Sequence, residues 1–248
     1  MNEPIWILPR QSHDEFRNRM KSSIRFVWFF TLLIAASAFQ EEPGKSPLAK
    51  AIQVLNSSPW ARQETFTRVV SGVGSGENGE KEIFNTFYVR FLSAPPVREA
   101  LLRVQQIQYG YDLWGAEAKR QFDESGAAAL RSGFGDWIVV SVGFRSNDPK
   151  EESNVRRFFE KQTPETLKNK AFLSTEQFSQ VRIHGYFTPR DEGIGAKFVF
   201  PRRFEGNELV SAASKSVTFE LLDVPTASPR LRARFAVKDM IANGQLVF

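Results

Sequence analysis

The segment RLRARFAV (230–237) sets Arg230, Arg232 and Arg234 two residues apart, with Leu231, Ala233 and Phe235 between them. Successive side chains of a β-strand point to opposite faces, so turning Leu231, Ala233 and Phe235 inward puts all three guanidinium groups outward. Guanidinium is planar, permanently charged and rich in donors, which suits carboxylate, sulfate and phosphate partners. Three such charges repel unless water or anions meet them. The row therefore predicts weak, salt-sensitive binding of an anionic partner, an envelope polymer or a protein. The competing use of the same pattern is charge that keeps a strand edge from pairing. Arg202-Arg203 is a second basic pair that would extend this surface if folding brought it near.

Other groups offer less. His184 in VRIHGYF (181–187) is the sole imidazole besides His13, and strand alternation sends it outward with Arg182 and Tyr186 while Val181, Ile183 and Phe187 turn inward. One histidine cannot build a two-histidine zinc site, and no G-x-S-x-G segment accompanies it. The glycine-rich run Gly72 to Glu80 follows a strand-like segment and invites comparison with a phosphate loop. Such a loop needs lysine directly after its last glycine, and here Glu80 follows Gly79. The run reads as the connection of a β-hairpin. Asp112, Glu117, Asp123, Glu124, Glu151 and Glu152 fall in or beside helices, with no pairing visible across a cleft. Cysteine is absent, which excludes disulfides, thiolate metal sites and cysteine nucleophiles. No metal, no cofactor and no catalytic set is expected.

The elements that must position these groups follow from periodicity. Ser46-Pro47 opens a helix that places Leu48, Ile52 and Leu55 on one face. ETFTRVV (64–70) and IFNTFYVRFL (83–92) read as strands, the second covered on both faces and so interior to a sheet. Ser93 is placed to cap a helix beginning APPVREALL, whose Val97, Leu101, Val104 and Tyr111 form a stripe interrupted by Gly110 and Gly115. WIVVSVGF (137–144) is a buried strand, and Asn147-Asp148-Pro149 starts an exposed helix. From residue 171 onward short strands succeed one another: AFLST, VRIHGYFT (181–188), AKFVFPR, SVTFELL, RLRARFAVK and QLVF. Their connections are too short for crossover helices, so pairing is antiparallel. The class expected is α+β: an antiparallel sheet, open to strong curvature, with helices grouped on one side.

MKSSIRFVWFFTLLIAASAFQ (20–40) reads as an export signal, with Lys21 and Arg25 before the apolar run 26–36 and the small-x-small site Ala36-Ser37-Ala38. Cleavage after Ala38 is expected, with translation starting at Met20. An uncleaved anchor and a buried helix are the alternatives. Residues 39–248 then form one α+β domain. Removing Arg10, Arg17, Arg19, Lys21 and Arg25 together with Glu3, Asp14 and Glu15 lowers the net charge from +5 to +3, which lends nucleic-acid binding no support.

The order of SPWARQ (58–63), VRFLSAPPVREAL (89–101) and FAVKDMIANGQL (235–246) resembles a family of exported bacterial proteins with no assigned activity. The resemblance covers most of the chain beyond the leader, with Phe91 where that family more often carries Trp. It implies export and brings no catalytic residue. The function expected is a non-enzymatic binding or structural role in the cell envelope, periplasmic or extracellular, with contact to the membrane only through an uncleaved leader. The alternative is an envelope hydrolase acting through carboxylates.

Overall fold

The computed structural model describes residues 46–71, 80–131, 134–189, 194–242 and 244–248. The segment read as an export signal, residues 72–79 of the glycine-rich run and Asn243 lie outside the described residues. In chain order the elements are α1 (Pro47–Asn56), β1 (Ala61–Ser71), β2 (Glu80–Phe91), α2 (Pro95–Gln108), a short 3-10 turn (Tyr111–Leu113), α3 (Ala116–Arg131), β3 (Trp137–Ser146), α4 (Pro149–Lys161) and α5 (Pro164–Leu167). The strands β4 (Ala171–Ser174), β5 (Val181–Arg182), β6 (Gly185–Phe187), β7 (Ala196–Pro201), β8 (Arg203–Phe204), β9 (Asn207–Glu208), β10 (Ser216–Leu222) and β11 (Arg230–Ala236) follow. A 3-10 turn (Val237–Met240), β12 (Ile241–Ala242) and β13 (Gln245–Leu246) complete the order.

The architecture is α+β with antiparallel pairing. A five-stranded sheet runs β1-β2-β3-β7-β6 and a four-stranded sheet runs β11-β10-β4-β5. β1 and β2 pair without interruption from Ala61↔Arg90 to Ser71↔Glu80, so the glycine-rich run joins the arms of a hairpin. β2 lies between β1 and β3, inside the sheet as its two covered faces required. The two sheets meet through phenylalanines. Phe91 stacks edge-on against Phe235 at 4.8 Å between ring centroids, and Phe198 against Phe219 at 5.3 Å. All four rings are fully buried. Edge-to-face contact aligns the positive rim of one ring with the negative face of the next, adding to the gain from burial.

The chain passes from one sheet to the other inside VRIHGYF, and there the simple alternation fails. Val181-Arg182 pairs with β4, and Gly185–Phe187 pairs with β7. The bend at Ile183-His184 shifts the phase by one residue. Tyr186, expected outward, is buried against Phe198, and Phe187, expected inward, is 43% exposed. The Tyr186 hydroxyl donates to the Phe159 carbonyl at 2.6 Å, and burial pushes its ionisation well above the ordinary phenol range.

The helices flank the five-stranded sheet. Arg90 points to the opposite face from Phe91, where its Nε donates to the Leu55 carbonyl of α1 at 2.6 Å. α1 packs there together with α2. On the other face Phe159 of α4 stacks on Phe198. α4 is not the exposed helix the sequence suggested: Val155 and Phe159 are buried on its inner face, and Glu151 in its first turn is mostly covered and paired with Arg68. Asp148 caps it, accepting from the backbone N–H of Lys150 at 2.8 Å and of Glu151 at 3.3 Å. In α1 the Ser46 hydroxyl accepts from Ala49 N–H at 3.1 Å, as its place before Pro47 predicts. The buried side is Ala51 and Leu55, and Ile52 is exposed, because turning the small Ala51 inward rotates its neighbour out. Ser93 does not cap α2. Ala94 occupies that position, and the Ser93 hydroxyl accepts instead from Val139 N–H at 3.4 Å. Gly110, with φ of +66°, ends the helix before Tyr111 can join its stripe.

Candidate functional site

β11 alternates as its sequence requires: Leu231, Ala233 and Phe235 are buried, and Arg230, Arg232 and Arg234 are exposed. β11 is the edge of the four-stranded sheet and pairs with β10 in the register Glu220↔Arg232 and Thr218↔Arg234. β10 in turn pairs with β4 at Thr218↔Ser174. Arginines, hydroxyls and an acid from three adjacent strands thus share the face turned away from the core. They line an open polar cleft of about 370 Å3, completed by Thr175, Glu176, Ser179 and Gln180 from the β4–β5 connection.

The charge in this cleft is only partly compensated. Glu220 Oε1 accepts from Arg230 Nη2 at 2.6 Å and lies 3.3 Å from Arg232 Nε. Its side chain is 10% exposed, against 57% and 61% for the two arginines. An ionised carboxylate that deep in a sheet needs cations, and the two guanidinium groups supply them from the solvent side. Arg234 has no ion pair among the described residues. Glu176 is held differently. Its carboxylate accepts from the backbone N–H of Lys215 at 3.1 Å and from the Ser216 hydroxyl at 2.8 Å. Hydrogen bonds from its own backbone N–H and from Ser216 hold its carboxyl below the usual carboxylate range, against the smaller opposing effect of burial. Gln180 adds strained backbone at the rim, with φ of +51°, and its N–H donates to Ser174 Oγ at 3.0 Å.

The other candidates of the sequence lie elsewhere. Arg202 does not extend the row. Its Nε donates to the Gly135 carbonyl at 3.0 Å, one Nη donates to the Phe248 carbonyl at 3.2 Å, and the guanidinium rests over the Phe248 ring. His184 is exposed and stacks on Trp137 at 4.3 Å, with no carboxylate in ion-pair range among the described residues. Glu151 pairs with Arg68 and accepts from Asn85, and Glu152 pairs with Arg145 at 2.8 Å, so both tie α4 to strands. Asp123 accepts from the Tyr111 hydroxyl, and Glu117 pairs with Arg120 at 2.7 Å. Among the described residues no group of three His, Cys, Asp or Glu side chains is arranged to hold a metal, and no helix is long and apolar enough to cross a membrane.

Two site residues were missed by sequence reasoning. Glu220 left a signal, since a lone acid inside SVTFELL demands a cation partner once the strand is buried. Glu176 left none, because its place depends on how the β4–β5 connection folds back over β10. Comparison with family models, curated proteins and solved structures returns no match for this chain.

Proposed function

We propose that this is an exported protein that binds an anionic polysaccharide of the cell envelope across the outer face of its four-stranded sheet, without catalysing a reaction. The observation that carries the reading is the arginine row itself: three guanidinium groups share one open cleft, and Arg234 stands free of any carboxylate among the described residues. Hydroxyls of Ser174, Thr175, Ser179, Ser216 and Thr218 line the same cleft, and those of Ser174, Thr175 and Ser216 also hold its wall together through internal hydrogen bonds. Affinity is modest and salt-sensitive, because exposed charges act through high dielectric and a short Debye length.

The hydrolase alternative has less support. Glycoside hydrolysis needs one carboxylic acid that keeps its proton near neutral pH. Of the two acids in the cleft, Glu176 is held ionised by hydrogen-bond donors and Glu220 is paired to two guanidinium groups. The first is held away from the protonated form, and the second is already engaged by the arginine row rather than turned to a substrate.

Export rests on Lys21 and Arg25, the apolar run 26–36 and the small-x-small site Ala36-Ser37-Ala38. N-terminal sequencing of protein recovered from the cell envelope is expected to begin at Phe39. Protein retained in the cytosol with residues 26–38 intact would contradict export. For binding, equilibrium titration with polygalacturonate at low salt is expected to saturate, and to fail when Arg230, Arg232 and Arg234 are all changed to Glu.

A further inference from the structure

Glu220 presents one oxygen to both arginines. Arg230 Nη2 and Arg232 Nε converge on Oε1, an arrangement without the two parallel bonds of an arginine–carboxylate fork. Each guanidinium therefore keeps N–H donors that Glu220 does not use, and each is more than half exposed. The carboxylate is buried and fixed by its place on β10, directly across from Arg232. It is thus a carboxylate, paired to two guanidinium groups, lying beneath the surface on which a ligand anion would sit. Arg234 faces Thr218 across the strand pair, so it carries no such burden.

We propose that Glu220 is a built-in competitor for the ligand anion: it holds Arg230 and Arg232, leaves Arg234 to make first contact, and limits how tightly the row binds. This rests on the reading that the cleft binds an anionic polysaccharide. Glu220 attenuates binding in two ways. It repels the incoming carboxylate, and it fixes two guanidinium groups in positions set by Glu220 rather than by the ligand. A ligand anion meets the donors of Arg230 and Arg232 that Glu220 leaves unused against the charge of that carboxylate, and engages these two side chains fully only by drawing Arg230 Nη2 and Arg232 Nε away from Oε1. The arrangement selects for polymers, because a chain anchored at Arg234 holds its next carboxylate beside Arg232 at high local concentration, whereas a single sugar acid does not.

The test compares wild type, Glu220→Gln, Arg234→Ala and the double variant, each titrated with polygalacturonate over a range of salt. Glu220→Gln keeps the shape and removes the charge. It is expected to bind about fivefold more tightly at low salt, the effect of deleting one like charge a few ångströms from the ligand in a solvent-exposed site. The dependence of affinity on salt is expected to steepen as more guanidinium groups engage. Arg234→Ala is expected to weaken wild type by a larger factor than it weakens Glu220→Gln, where the other two arginines are free. Glu220→Gln that folds normally and binds no more tightly than wild type overturns the proposal while leaving the binding function standing. If instead the triple Arg→Glu variant binds like wild type, the binding function itself falls, and this proposal with it. Should Glu220→Gln fail to fold, side-chain NMR of the wild type decides. The Arg232 Nε–H resonance, assigned through its loss in Arg232→Lys, is expected to shift during titration, and a signal unmoved at saturation overturns the proposal.

Discussion

Arg90 is the residue with the most unusual surroundings. Its guanidinium is buried, and burial lowers it to about 10, yet no carboxylate among the described residues pairs with it. Its Nε donates to the Leu55 carbonyl, its Nη2 donates to Asn56 Oδ1 at 3.1 Å, and its guanidinium lies over the Tyr88 ring. Leu55 and Asn56 are the last residues of α1, where carbonyls lack helical partners and the helix dipole is negative. A cation there caps the helix and holds it to β2. Arg90→Met deletes these bonds and leaves a buried carbonyl unmet, so a loss of about 2 kcal/mol is expected from urea unfolding with an unchanged slope. Arg90→Lys is expected to recover only part of this, since ammonium cannot reach both acceptors as a planar fork does. Wild-type stability in Arg90→Met would contradict the role. The sequence conceals this residue: its strand reads as covered on both faces, but nothing in VRFL shows that the end of α1 is what covers Arg90. The cleft arginines were legible for the opposite reason: their neighbours Leu231, Ala233 and Phe235 are apolar enough to set the phase of β11.

At the scale of elements, Gly195 shows how closely β7 approaches β3. Its φ is +91°, and a Cβ added there would lie 2.2 Å from the Val142 carbonyl oxygen and 2.7 Å from Gly143 Cα. Both obstacles are backbone, so neither can rotate away. Gly195→Ala is expected to cost about 3 kcal/mol, combining left-handed strain with overpacking, measured as a lowered denaturant midpoint. An unchanged midpoint would contradict the close approach. The start of α4 carries a pH dependence. The hydrogen bond from Lys81, 3.1 Å away, and the backbone N–H groups of Glu151 and Lys150 hold the Asp148 carboxyl below the usual aspartate range. A carboxyl depressed in the native state stabilises it fully above the ordinary aspartate pKa of about 4, and that contribution is lost as pH falls through the lowered native value. Asp148→Asn, which retains the cap without the charge, is expected to reduce the acid sensitivity of unfolding in that range; an unchanged pH profile would contradict this. The Asn147-Asp148-Pro149 start was legible from residue types alone. The bend at Ile183-His184 was not, because VRIHGYF satisfies a single uninterrupted strand, and only the separate partners β4 and β7 divide it.

For the whole molecule, strand sequences identified an antiparallel α+β protein, but the division into two sheets lies in pairings between distant segments that local periodicity does not encode. The same limit applies to the cleft. Three arginines on one strand face are visible in the sequence, whereas their company with Glu220, Glu176 and the hydroxyls of β4 and β10 depends on register. That company makes the face chemically distinct, with cations over a buried acid and sugar-compatible hydroxyls alongside. The most direct measurement of the central claim is equilibrium binding of polygalacturonate to residues 39–248, with uncharged dextran as the control polymer. The account predicts saturable binding at low salt that weakens as salt rises, is absent for dextran, and is lost in the folded Arg230→Glu, Arg232→Glu, Arg234→Glu variant. Binding of the two polymers alike, or undiminished binding by that variant, would contradict it.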